Sequence, residues 1–187
     1  MRQAKLLALM IALLLLAGCS QAAHGEEKFL EWRDTFSASK NHEARAELSV
    51  EDGEKHGKYT LLYSSNEEEE TVEILEPELI AGVRAHIKNK ETSLQYDGVM
   101  LETGSELSET LSPMMALPSF AKCLREGHLE RVWTEEKEGQ ALLVAELEMP
   151  DGSIMTLWLE EENLQPAFAA IREGDTIQIK IKFCEFR

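Results

Sequence analysis

Along the chain the hydrophobic positions change rhythm several times, and each rhythm predicts a different element. Leu6 to Leu16 is an unbroken apolar run. Glu26 to Ser37, EEKFLEWRDTFS, spaces Phe29, Trp32 and Phe36 at i, i+3 and i+7 behind acidic residues, the signature of a helix of about three turns with one aromatic face. From Glu43 the period drops to two. Ala44, Ala46, Leu48 and Val50 alternate with charged and polar neighbours, and so do Tyr59 to Tyr63, Val72 and Ile74, Val83 to Ile87, Leu94 and Tyr96, and Val99 and Leu101. Asp52-Gly53 and Asp97-Gly98 punctuate these strands as turns.

Leu111 to Gly127, LSPMMALPSFAKCLREG, interrupts the alternation with a second helix. Ser112-Pro113 starts it, Pro118 bends or restarts it, and Gly127 ends it after Lys122 and Arg125. Strands resume at Leu129 to Glu135, Ala141 to Met149, Ser153 to Glu160, Ala167 to Arg172 and Thr176 to Phe186, with turns at Asp151-Gly152 and Gly174-Asp175. In the last strand Ile177, Ile179, Ile181 and Phe183 share one face, and Gln178, Lys180, Lys182 and Cys184 share the other.

About ten short antiparallel strands with one apolar face, and only two helices to cover it, predict a mainly β (α+β) fold. The expected architecture is a strongly curved sheet, an unclosed half-barrel with the helices in its concavity; a closed barrel is the competing solution.

The first 18 residues read as a secretory signal. Arg2 and Lys5 precede the apolar run, and Ala17-Gly18 supplies small residues at a cleavage point. Eleven apolar residues fall short of the roughly 20 that a spanning helix needs. Leu16-Ala17-Gly18-Cys19 resembles the lipobox of bacterial lipoproteins, which implies cleavage before Cys19, a diacylglycerol thioether on its sulfur and an acyl group such as palmitate on its amine. Two or three acyl chains, at ~0.8 kcal/mol per buried CH₂, hold a protein on a bilayer where one does not. Residues 19–25 then form a lipidated tether, and 26–187 the folded domain, expected on the extracytoplasmic face of the cell envelope.

Loss of Arg2 and Lys5 leaves 17 basic against 35 acidic residues, a net charge of −18. That charge repels nucleic acid and anionic headgroups, so nucleic acid is excluded as a partner and membrane attachment falls to the lipid. Cys123 and Cys184 allow one intramolecular bridge, with two independent thiols as the default. His24, His42, His56, His86 and His128 show no metal-ligand spacing and read as surface or strand-end residues, and the acidic run Glu67 to Glu70 reads as a solvated turn. With no nucleophile elbow and no phosphate loop, the expectation is a non-catalytic protein without cofactors other than the acyl groups on Cys19.

Pro77 to Gly104 followed by LSPMMALP resembles the central part of the LolA/LolB-like lipoprotein-carrier superfamily. Pro77 and Gly82 match its turn, and Leu94, Tyr96, Asp97 and Gly98 match its hairpin. Leu157, Trp158, Leu159, Pro166, Gly174 and Phe183 are similar to its closing hairpins. The resemblance implies a half-barrel whose helices lid an apolar concavity, which carriers of that superfamily use to hold acyl chains. Phe29, Trp32, Phe36, Met114, Met115 and Phe120 are the residues expected either to line such a cavity or to form core; methionine's flexibility suits both. The resulting expectation is a binding module for a lipid or other apolar ligand. The alternative is a regulator of an envelope enzyme, such as the peptidoglycan amidase bound by clostridial germination lipoproteins of the GerS type, which share the fold and the anchor.

Overall fold

The computed structural model of the chain describes residues 24–52, 55–89, 91–104, 112–137, 139–174 and 176–187. Cys19 and the signal segment lie outside the described residues. A helix over residues 24–38 (α1) is followed by β1 (His42–Asp52), β2 (Lys55–Ser65), β3 (Glu70–Glu76), β4 (Arg84–Lys88), β5 (Glu91–Tyr96) and β6 (Val99–Gly104). A second helix, α2 (Ala116–Glu126), precedes β7 (His128–Lys137), β8 (Gln140–Glu148), β9 (Ile154–Glu160), β10 (Pro166–Glu173) and β11 (Thr176–Phe186).

Eleven strands, where the pattern predicted about ten, form one antiparallel sheet in the order β6-β5-β4-β3-β2-β1-β11-β10-β9-β8-β7. β6 and β7 are its two edges and do not pair with each other, so the sheet is open and the closed barrel is not formed. β1 lies at the middle, bonded to β2 on one side and to the C-terminal strand on the other, with reciprocal backbone hydrogen bonds between Glu43 and Arg187.

The alternation sorts the two faces. Leu48, Leu61, Tyr63, Val72, Ile74, Leu143, Leu147, Met155, Leu157, Leu159, Ile171, Ile179 and Ile181 are buried on the concave side. Alanines at 44, 46, 85, 145 and 169 share that face, and their small size lets the sheet curl while leaving room for the helices. Register shifts at Arg45/Ala46, Thr60/Leu61 and Ile171/Arg172 add curvature.

Two of these irregularities change side-chain direction. Arg45 pairs with Glu185 and Ala46 with Phe183, so Cys184 is the extra residue of a bulge and both Phe183 and Phe186 reach the core. Near the other end of β11, the shift at Ile171/Arg172 leaves Ile177 37% exposed, against its expected place beside Ile179.

At the β5–β6 turn Asp97 and Gly98 have φ of 49° and 79°, the paired left-handed geometry of a two-residue hairpin. α1 extends beyond the predicted Glu26–Ser37 by a fraction of a turn at each end. α2 is entered through a 3-10 turn, Pro113–Met115, and Pro118 falls in its first turn, where a missing N–H costs no helical bond. Gly127 ends α2 with φ −67° and so needs no left-handed backbone. It is required by close approach: a Cβ there would lie 2.6 Å from the Cys123 carbonyl oxygen and 2.9 Å from the Cys123 Sγ. Gly127→Ala is therefore expected to destabilise the fold by about 1–3 kcal/mol, read as a lower denaturation midpoint in urea, with the slope unchanged.

Candidate functional site

Of the six residues singled out as cavity or core, Phe29, Phe36, Met114 and Phe120 join one core cluster, with Trp32 packed against it, and Met115 is buried outside that cluster. Phe29, Phe36, Met114, Met115 and Phe120 are buried, and Trp32 is half-buried between the first two, with ring centroids 5.9 Å from Phe29 and 5.8 Å from Phe36. Phe120 of α2 packs at 4.9 Å on Phe183 and at 6.4 Å, edge-on, against Phe36. Phe186 closes the group, 6.1 Å from Phe36 and 5.8 Å from Phe183. The chain thus fills its own concavity where these elements meet. Fully burying a side chain of this size contributes ~1.5–3 kcal/mol, which makes the aromatic junction the main adhesive between helices and sheet.

Polar clasps, none of them legible in the hydrophobic pattern, hold α1 across the mouth of the half-barrel. Arg33 donates from Nε to the Leu124 carbonyl and from Nη2 to the Gly127 carbonyl, each at 2.6 Å, so a guanidinium from α1 satisfies the open C-terminal end of α2. Lys28 donates to the Glu161 carbonyl in the β9–β10 turn. The third clasp is His42.

His42 opens β1, as a strand-end residue should, but it is only 5% exposed and stacks flat on Phe36 at 4.1 Å and 14°. Its Nε2 lies 3.1 Å from the Phe36 carbonyl and 3.2 Å from that of Ser39; two acceptors at one nitrogen place the proton on Nε2. Ser65 accepts the His42 backbone N–H and donates to the Lys40 carbonyl. Burial lowers the His42 pKa below the usual 6.5 against the upward pull of the two carbonyls, and the nearby Arg125 charge lowers it further.

Arg125 belongs to the same corner. It pairs with Glu70 at 3.0 Å and lies 5.7 Å from the Phe36 ring centroid. Glu70, expected in a solvated turn with Glu67 to Glu69, instead starts β3 and is three-quarters buried by this pair. The Tyr63 hydroxyl is buried nearby, and loss of solvent pushes its pKa up.

Cys123 is buried and Cys184 exposed, and both are free. Burial pushes the Cys123 thiol up to about 12. Among the described residues no three His, Cys, Asp or Glu side chains gather as metal ligands, and no helix is long and apolar enough to cross a membrane. Among the described residues, two surface grooves stand out. One of about 450 Å³ is flanked by His42, Ser65 and Arg187, and one of about 340 Å³ by Gln140, Phe168 and Lys182. None of the six interior residues lines either groove.

No protein-family model matches the sequence, and no curated protein matches it. Solved structures do resemble it. An uncharacterized conserved protein from Thermus thermophilus shares 12% identity over 87% of this chain and 86% of its own, with a TM-score of 0.51. A LolA superfamily protein from Nitrosomonas europaea shares 15% over 86% and 92%, at 0.49. The CwlD amidase–GerS lipoprotein complex from Clostridioides difficile contains a chain that is 16% identical over 87% and 94%, at 0.41. The fold is an open half-barrel shared with the Thermus thermophilus protein. At these identities the likeness is one of fold.

Three outcomes follow from the clasps and the thiols. Because His42 has a lower pKa folded than unfolded, the unfolded chain takes up more protons as the pH falls. The stability held by neutral His42 is complete above the unfolded value of about 6.5 and is lost as the pH falls below it toward the folded value, so Tm should drop over that window and the drop should shrink in His42→Gln. Arg33→Met should lower Tm at every pH, because it leaves two buried carbonyls without donors. Separately, a thiol reagent at pH 8 should label Cys184 in the native protein and spare Cys123, with Cys123 labelled only in denaturant; native modification of Cys123 would show that α2 detaches readily.

Proposed function

We propose that the protein is a lipid-anchored, non-catalytic binding module of the bacterial cell envelope, held at the membrane through Cys19, and that it docks another envelope protein with the outside of its half-barrel. The observation that carries this reading is where the apolar surface lies. The concave face is filled by α1 and α2, whereas Tyr96, Val99, Met100 and Leu101 are 53%, 59%, 55% and 61% exposed on the β5–β6 hairpin. Consecutive residues of a strand point to opposite faces, so Val99–Leu101 is apolar on both sides, and among the described residues no strand pairs with the outer edge of β6.

Native sheets ordinarily guard such edges with charge. The opposite edge is guarded: β7 carries Glu130, Arg131, Glu135, Glu136 and Lys137. β6 carries one acid, Glu102, after the apolar stretch Val99–Leu101, which fits an extended segment of a partner adding as a further strand, its main chain supplying affinity and its alternate side chains packing on Val99 and Leu101. The net charge of −18 in the processed chain favours a partner with a basic surface, and association should slow as salt rises.

Holding an acyl chain in the concavity requires α1 to leave Phe120, Phe186 and its three clasps, so that reading is the second. A photo-crosslinker at position 100 in intact cells is expected to capture one dominant envelope protein, and Val99→Lys with Leu101→Lys to abolish capture without changing Tm. Native mass spectrometry of the full chain in detergent supplies the counter-test. A co-purifying noncovalent lipid, together with a diffuse crosslinking pattern, would replace partner docking with ligand holding.

A further inference from the structure

The convex face of a half-barrel is expected to be polar, yet on β8 Leu142 and Val144 are 1% and 0% exposed although they alternate with the inward-facing Leu143 and Ala145. Val144 is flanked in register by aromatic side chains. Trp133 of β7 pairs in register with Val144, Val144 with Trp158 of β9, and Trp158 with Phe168 of β10, so three aromatic side chains stand in one row across four adjacent strands. The carboxylate of Glu135, two residues along β7 from Trp133, accepts the indole N–H of both tryptophans, one on each oxygen. That shared acceptor ties the two indoles together over β8.

The faces of these rings are in use from the solvent side. The Arg131 guanidinium lies 4.7 Å from the Trp133 centroid, and the Lys137 ammonium lies 4.5 Å from that of Phe168 and 5.6 Å from that of Trp158. Both cations are on exposed, long side chains of the edge strand and can swing aside. Beyond Phe168 the row runs into the groove of about 340 Å³, whose walls include Gln140, Glu160, Gln165 and Lys182. Two strand spacings separate Trp133 from Trp158, about 9.6 Å, and a third leads to Phe168.

We infer that this row and groove form a binding surface for a linear glycan, with pyranose rings stacked on Trp133, Trp158 and Phe168 and their hydroxyls bonded to Gln140, Glu160 and Gln165. The apolar C–H face of a pyranose presents to an indole the same electropositive edge that Arg131 and Lys137 present now, without a charge to desolvate. A neutral ligand fits the local charge balance. On this face Arg131 and Arg172 pair with Glu146, Lys180 with Glu51 and Lys182 with Glu47, so the patch is compensated within a strongly acidic protein. Planar rings at fixed spacing, flanked by amide and carboxylate groups, suit a chain of repeating polyhydroxylated rings better than a protein surface, which asks for a continuous apolar centre. This inference does not rest on the partner-docking reading, which concerns the β6 edge, and either can fail alone.

The three tryptophans make the test direct. In the full-length protein in detergent, labelled with ¹⁵N at the indoles, titration with chitotetraose, cellotetraose or maltotetraose should shift the Trp133 and Trp158 signals and leave that of Trp32 in place. Trp158→Ala should weaken binding about tenfold, the worth of one stacked ring. If that variant does not fold, Trp158→Phe should fold and retain part of the affinity. Which tetrasaccharide binds identifies the linkage class. The inference is overturned if none of the three moves the Trp133 and Trp158 signals at millimolar concentration, or if Trp32 alone responds. It is equally overturned if only peptides shift them, which would make the row a protein-docking surface.

Discussion

An open, curved sheet has an inside that no other part of the sheet can cover. Everything else in this protein answers that constraint. Two helices are available, and they meet the sheet at one aromatic junction, where Phe36 from α1, Phe120 from α2 and Phe183 and Phe186 from β11 touch within about one ring diameter of each other. The junction links the N-terminal helix, the mid-chain helix and the last strand. Without it neither helix would have a fixed seat, and the concave face would lie open to water.

Apolar packing sets the position of α1 along the sheet less tightly than polar contacts do, because aromatic rings tolerate sliding and hydrogen bonds do not. Arg33 at the C-terminal end of α2, Lys28 at the β9–β10 turn and His42 at the end of α1 itself fix the helix along its length. All three use backbone carbonyls as acceptors. The arrangement places charged and titratable side chains around an apolar lid, so the lid's grip responds to pH while its seat does not.

Most of the fold was readable in the period of the apolar residues. Alternation through Ala44–Val50 and Ile154–Glu160, and the i, i+3, i+7 spacing of Phe29, Trp32 and Phe36, place strands and helix without further information. What escaped was anything set by two strands at once. A bulge at Cys184 reverses the expected direction of Phe186, and another at Ile171/Arg172 turns Ile177 outward; neither leaves a mark in the local sequence. His42 and Glu70 read as surface residues because their burial comes from tertiary packing: Phe36 and Phe186 stack on His42, and Arg125, 55 positions along the chain, pairs with Glu70. The row of Trp133, Trp158 and Phe168 was hidden for the same reason: only the register brings those positions side by side.

The placing of β1 at the middle of the sheet reaches beyond the folded state. Its partner on one side is β11, so the central ladder joins residues near the start of the domain to the last ones of the chain, with Glu43 bonded to Arg187. Contacts so distant in sequence form late and slowly. The central seam cannot close until β11 has been made, whatever the state of the strands between. Until β11 joins it, β1 presents an open edge at the centre of the sheet, and the two halves have no shared ladder.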